Sequence, residues 1–152
     1  LNSEELKNSG NLTDSLPLIL QEVEQVYTWL SGQIAAMNPS CKICGTCCDF
    51  DKYGHRLYIT TPEILYFLHC IQQEMRFMDE GVCPYREDGR CGAYQCRFAA
   101  CRIFACTGDS RRQHELSEEA VRRFRKICET HDLPYRYLDL KYALSHPELW
   151  FG

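Results

Sequence analysis

No apolar run in this chain approaches the roughly 20 residues that a membrane-spanning helix needs, which argues against membrane insertion. A basic excess is missing too. The formal net charge is −4 and the pI about 5.7, whereas a nucleic-acid binder normally presents a clustered basic patch. There is no glycine-rich dinucleotide signature, no radical-generating C-x3-C-x2-C spacing, no internal repeat and no low-complexity stretch. The opening Leu1-Asn2-Ser3-Glu4-Glu5 has neither the basic n-region nor the apolar h-region of a leader. It does not begin with Met, which leaves room for a leader already removed.

What the chain does have is cysteine: eleven in 152 residues, against an otherwise ordinary 45% hydrophobic and 25% charged composition. Four fall in the run Cys41-Lys42-Ile43-Cys44-Gly45-Thr46-Cys47-Cys48, a C-x2-C-x2-C-C spacing in which Gly45 lets the backbone turn. A second group, Cys83, Cys91, Cys96, Cys101 and Cys106, follows about forty residues later. Heavy cysteine use marks either a secreted disulfide framework or a metal site. Disulfide frameworks are usually shorter, loop-rich and even in cysteine count. The tandem C-x2-C steps favour metal, because neighbouring thiolates converge on one ion or cluster without long-range folding. A cytoplasmic location follows, since thiols persist there as thiols.

Adjacent side chains diverge, so Cys47 and Cys48 are poor joint ligands of one small tetrahedral site. The expected division puts Cys41, Cys44 and Cys47 on one centre, completed by a remote cysteine, with Cys48 joining a second centre or bridging. Completing ligands come from Cys83, Cys91, Cys101 and Cys106, with Cys96 to spare. Eight cysteines suit two four-iron clusters, and nine suit a polynuclear zinc–thiolate site. The spacing leans towards iron–sulfur and keeps zinc as the alternative.

The flanks predict a mainly α fold, a small helical domain packed around an irregular cysteine-rich metal-binding loop region. Residues 1–13 read as a flexible tail and 14–152 as a single domain. Asp14 or Ser15 caps a helix over 14–37 with Pro17 in its first turn. Its seam of Leu16, Leu20, Val23, Tyr27, Leu30, Ile34 and Met37 faces a core, or alternatively a second copy in a homodimer. Within the cysteine-rich region 38–110, Arg56–Thr60 reads as a short strand. Thr60-Thr61-Pro62-Glu63 then starts a helix over 62–78 that places Ile64, Leu68, Ile71, Met75 and Met78 on one face. Cys70 on that helix reads as a small buried hydrophobe. Residues 82–110 carry little periodicity, and a loop this long needs anchoring, which ligand bonds would provide. In the helical segment 116–152, Ser117-Glu118-Glu119 opens a helix with Val121, Phe124, Ile127 and Cys128 inward. Arg122, Arg123, Arg125 and Lys126 form a solvated face, and Tyr137–Leu144 a last short helix.

Cys41-x2-Cys44-Gly45-x-Cys47-Cys48, Cys83-Pro84, Cys91-x2-Tyr94 and Cys101-Arg102-x-Phe104-x-Cys106 together resemble the CxxCxxCC family of zinc- or iron-chelating domain proteins. The likeness covers about residues 40–107. It implies metal ligation by Cys41, Cys44, Cys47, Cys48, Cys83, Cys91 and Cys101, together with Cys106. Relatives often carry Arg-Pro shortly before the Cys-Arg pair, where this chain has Arg97-Phe98, and Cys96 is additional. Flagellin lysine methylases share the cysteine motif, and their iron–sulfur role tilts the metal towards iron. The expected function is an iron–sulfur protein for electron transfer or redox sensing with a redox or protein partner. The alternative is a zinc–thiolate protein serving as an interaction module or in metal handling. A catalytic site has no recognisable signature in the sequence.

Overall fold

The computed structural model describes residues 3–38, 49, 56–104 and 109–151, with side chains from Leu12 to Trp150. Helix dominates, as the apolar spacings predict. The first helix, α1, runs Ser3–Met37 and takes in most of the stretch expected as a flexible tail. Propensity accounts for the earlier start: Glu4, Glu5, Leu6 and Lys7 are strong helix formers, and the acids stand at the positive end of the helix dipole. Pro17 therefore lies mid-helix, exposed, at the cost of one ladder bond. Ile19, Val23, Val26, Tyr27 and Leu30 bury the inward stripe. Asn38 leaves the helix at a φ of 49°, a left-handed conformation that asparagine tolerates.

A three-residue strand, β1 (Tyr58–Thr60), feeds directly into α2 (Thr61–Ile71) through the expected cap. The Thr60 backbone N–H and hydroxyl both donate to the Glu63 carboxylate, at 2.9 and 2.7 Å. The helix stops at Ile71 rather than Met78, because Gln72 turns left-handed at a φ of 50° and the chain folds back. The Arg76 N–H then donates to the Tyr85 hydroxyl at 2.9 Å. Met78 still reaches the core, without a helix to carry it there.

The loop expected over 82–110 contains four small elements among its described residues. Strands β2 (Arg86–Glu87) and β3 (Arg90–Cys91) form an antiparallel hairpin closed by Asp88 and Gly89 at φ 49° and 72°. This is the two-residue turn whose twist matches paired strands. A 3-10 turn at Tyr94–Cys96 and a short helix, α3 (Ala99–Ile103), follow. The next helix, α4 (Ser110–Thr130), begins ahead of the expected Ser117, since the Asp109 side chain accepts from the Arg111 and Arg112 N–H groups at 2.9 and 3.3 Å. Its Phe124, Ile127 and Cys128 face inward as predicted. Of the basic run, Arg123 lies over the Trp29 ring at 3.9 Å and Arg125 over Tyr135 at 4.7 Å.

Tyr137 does not open a helix. The alternating Tyr135-Arg136-Tyr137-Leu138 suits an extended chain, and β4 (Tyr137–Asp139) pairs antiparallel with β1, Tyr58 opposite Asp139. Asp139 then caps α5 (Leu140–Ser145), and α6 (Glu148–Phe151) follows. Thr61 fastens this segment: its N–H donates to Arg136 O, its hydroxyl donates to Pro134 O, and it accepts from the Arg136 N–H.

Two apolar clusters result. One joins α1, α3 and α4 through Ile19, Val23, Leu30, Ile103, Leu116 and Phe124. The other gathers Leu57, Ile59, Phe67, Tyr85, Phe98 and Leu144 around β1, α2, the hairpin and α5. Helices α2 and α3 contribute to both, α3 through Ala99 and Ile103 on one side and Ala100 and Cys101 on the other. Among the described residues no helix is long and apolar enough to cross a membrane.

Candidate functional site

Five of the eight candidate ligands, Cys41, Cys44, Cys47, Cys48 and Cys106, lie outside the described residues. Cys83, Cys91 and Cys101 are described, and all three are half-buried against the second cluster. The hairpin sets the first two. The Arg86 N–H donates to Cys83 O at 3.1 Å across a tight turn, and Arg86 is also the strand partner of Cys91. One residue thus fixes the backbone of both cysteines. Gly92 lets the chain leave the hairpin: its N–H donates to Tyr85 O at 2.8 Å, and a Cβ there would meet the same oxygen at 2.9 Å.

The residue after the first cysteine run is also placed. Asp49, which follows Cys48 in sequence, forms an antiparallel bridge with Val82, which precedes Cys83. The residue that follows one cysteine group is therefore paired with the residue that precedes the other.

Cys101 is set by a network of charges and carbonyls. Arg97 donates to Tyr94 O at 2.9 Å and to Cys101 O at 3.4 Å, with its guanidinium over the Tyr94 ring at 3.6 Å. Arg102 donates to Arg97 O and Gln95 O and lies over the Tyr27 ring at 4.0 Å, binding the turn to α1. Burial lowers the Arg102 pKa, and the nearby Tyr27 pulls it back up. Beneath α3, Glu63 is 2% exposed, and its second carboxylate oxygen accepts the Ala99 N–H at 2.8 Å. A single carboxylate thus caps α2 and α3 together. Burial raises its pKa, against the opposing pull of those three hydrogen bonds. Burial likewise raises the Tyr27 hydroxyl, with the Glu63 charge adding to the effect.

Cys70 is not the lone buried hydrophobe expected. It forms a disulfide with Cys96, joining the end of α2 to the 3-10 turn across 26 positions of sequence. The sequence spacing gave no sign of this, because the pair depends on α2 ending at Ile71 and the chain doubling back. Cys128 is buried as predicted, and burial pushes its thiol up to about 11. Among the described residues, no group of three or more His, Cys, Asp or Glu converges as a metal site. Comparison with family models, curated proteins and solved structures gave no match.

Sequence reasoning missed two features that position the site. The hairpin was signalled by Asp88-Gly89, a strong turn pair. The second role of Glu63, as a cap for α3, had no local signal, since its partner Ala99 lies 36 residues away.

Proposed function

We propose that this chain is a cysteine-ligated metal-binding protein of the CxxCxxCC type. Cys41, Cys44, Cys47, Cys48, Cys83, Cys91, Cys101 and Cys106 would hold iron–sulfur clusters for electron transfer or redox sensing in the cytoplasm. The observation that carries this reading is the Asp49–Val82 bridge, which ties the exit of one cysteine group to the entrance of the other. The cysteine count supports it as well. The disulfide and the buried Cys128 account for the three cysteines outside the proposed ligand set.

The donor chemistry fits. Cys83, Cys91 and Cys101 stand half-buried against apolar side chains, which would limit water around a bound metal. Arg97 and Arg102 bring positive charge to the Cys101 end, which offsets the negative charge of clustered thiolates. When bound, an iron–sulfur cluster would supply one-electron transfer. The residues of this chain would hold it, exclude water with Tyr85 and Phe98, and tune it through those guanidinium groups.

A second reading is favoured by the hairpin. Two cysteines whose backbone is fixed through one residue at the base of a two-residue turn suit a structural zinc site. Anaerobic purification with metal analysis and a visible spectrum separates the two. Brown protein with broad visible absorption and iron supports the first. Colourless protein with stoichiometric zinc overturns it and selects the second, and protein without metal overturns both. Cys48→Ser tests the two-centre division, which is wrong if metal content is unchanged.

A further inference from the structure

The Cys70–Cys96 disulfide belongs to neither reading of the ligand set, and its placement suggests a use. Cys96 ends the 3-10 turn midway between Cys91 and Cys101. The hydrogen bonds of that turn run within its own segment: Arg97 to Tyr94 O, Arg102 to Gln95 O and Arg97 O, and the Cys96 N–H to Ala93 O. The covalent tie from the segment to α2 is the disulfide. Phe98, stacked on Phe67 at 4.6 Å, and the Ala99 N–H, which donates to the Glu63 carboxylate of α2 at 2.8 Å, are non-covalent ties beside it. Cys96 is 8% exposed, whereas Cys70 is half-buried at the helix end, next to the exposed His69 and Gln72.

We propose that Cys70 and Cys96 form a second redox site, a reversible two-electron disulfide that exchanges with small dithiols and sets the order of residues 91–101. A thiolate of the dithiol attacks Sγ of Cys70, the less buried of the two residues, and the Cys70–Cys96 bond breaks. Cys96 leaves as a thiolate and takes up a proton. The second thiol of the reductant then attacks its own sulfur in the mixed disulfide and releases Cys70 as a thiol, and the reductant departs as a cyclic disulfide. Two electrons and two protons pass to the protein, and the reverse exchange with a disulfide of the same class restores the bond. Reduction removes the covalent tie while the Phe67–Phe98 stack and the Ala99–Glu63 hydrogen bond persist, so the segment loosens without detaching. In a reducing compartment, disulfides that do form are usually redox-sensing or catalytic rather than structural. The inference rests on the cytoplasmic placement in the proposed function and not on bound metal.

The test uses the full chain, alkylated during lysis to block later exchange. Digestion without reductant is expected to yield one linked peptide pair containing Cys70 and Cys96. After dithiothreitol, both cysteines take the label, and amide exchange across residues 94–102 rises about tenfold or more. Cys70→Ser and Cys96→Ser, examined separately without reductant, reproduce that faster exchange, which separates the disulfide from any effect of dithiothreitol on metal. Full labelling of both cysteines without reductant overturns the proposal. Exchange unchanged by reduction and by both substitutions overturns it equally. Metal content, read on the same samples, bears on the ligand reading alone.

Discussion

The two apolar clusters are built differently. The first joins a 35-residue and a 21-residue helix, and aliphatic stripes at helical spacing fill the space between them. The second is assembled from strands of two or three residues, an 11-residue helix and reversals at Gln72 and Asp88. Long helices bury a continuous face and hold themselves together. Two-residue strands cannot, since an isolated hairpin is marginal in water. The second region therefore depends on ties between short pieces: the disulfide, the Thr61 clasp, the Glu63 double cap and, in our reading, thiolate ligation. One half of the molecule is packed and the other is tied.

Substitutions sharpen that contrast. The largest expected effect is in the packed half. Phe124→Ala removes a fully buried ring and is expected to lower stability by about 3–5 kcal/mol in chemical denaturation. Metal content of the folded protein should not change, and a parallel fall would dissolve the distinction between the halves. Glu63 sits where the halves join. Glu63→Ala strands three donors, the Thr60 N–H, the Thr60 hydroxyl and the Ala99 N–H, at about 2–4 kcal/mol.

Glu63 also carries a pH signature, read against Glu63→Gln. Its folded pKa is raised, so the folded state holds the proton more tightly than the unfolded one. That contribution is complete below the unfolded carboxyl range and is lost as pH rises through the folded value. The stability gap between the native chain and Glu63→Gln should therefore narrow on going from acid towards neutral pH. A gap that widens over that range would contradict the assignment.

In the tied half, Gly92→Ala drives a Cβ against the backbone oxygen of Tyr85, expected to cost about 1–3 kcal/mol. Because Cys91 precedes it, this variant should, on the proposed ligation, lose metal out of proportion to its stability, the reverse of Phe124→Ala. Metal analysis of the two variants side by side checks the pair. The smallest effect is on the exposed face of α4. Arg122→Ala breaks an exposed ion pair with Glu119, and thermal melting should shift by no more than about 0.5 kcal/mol equivalent.

The packed half was the legible one. The stripe of Val23, Tyr27 and Leu30 and the inward Phe124, Ile127 and Cys128 follow from local spacing, as the Thr60–Glu63 cap at the junction follows from capping chemistry. The tied half was legible as cysteine content but not as geometry. The reversal after Ile71, the strand at Tyr137 and the Cys70–Cys96 pair each depend on a partner distant in sequence, and no local period encodes such partners. Even the early starts of α1 and α4 have local causes, a run of helix formers and the Asp109 cap.

The pairing of β1 with β4 has a consequence for synthesis. Tyr137–Asp139 leaves the ribosome after every cysteine of the chain. Until then β1 has no strand to lie against, and Thr61 lacks Pro134 and Arg136. Closing so long a loop is slow and entropically unfavourable. The nascent chain thus passes through an interval in which its thiols are present and its clasp is not. Correct pairing in that interval rests on the surrounding redox conditions and on any escort, before the fold itself can select.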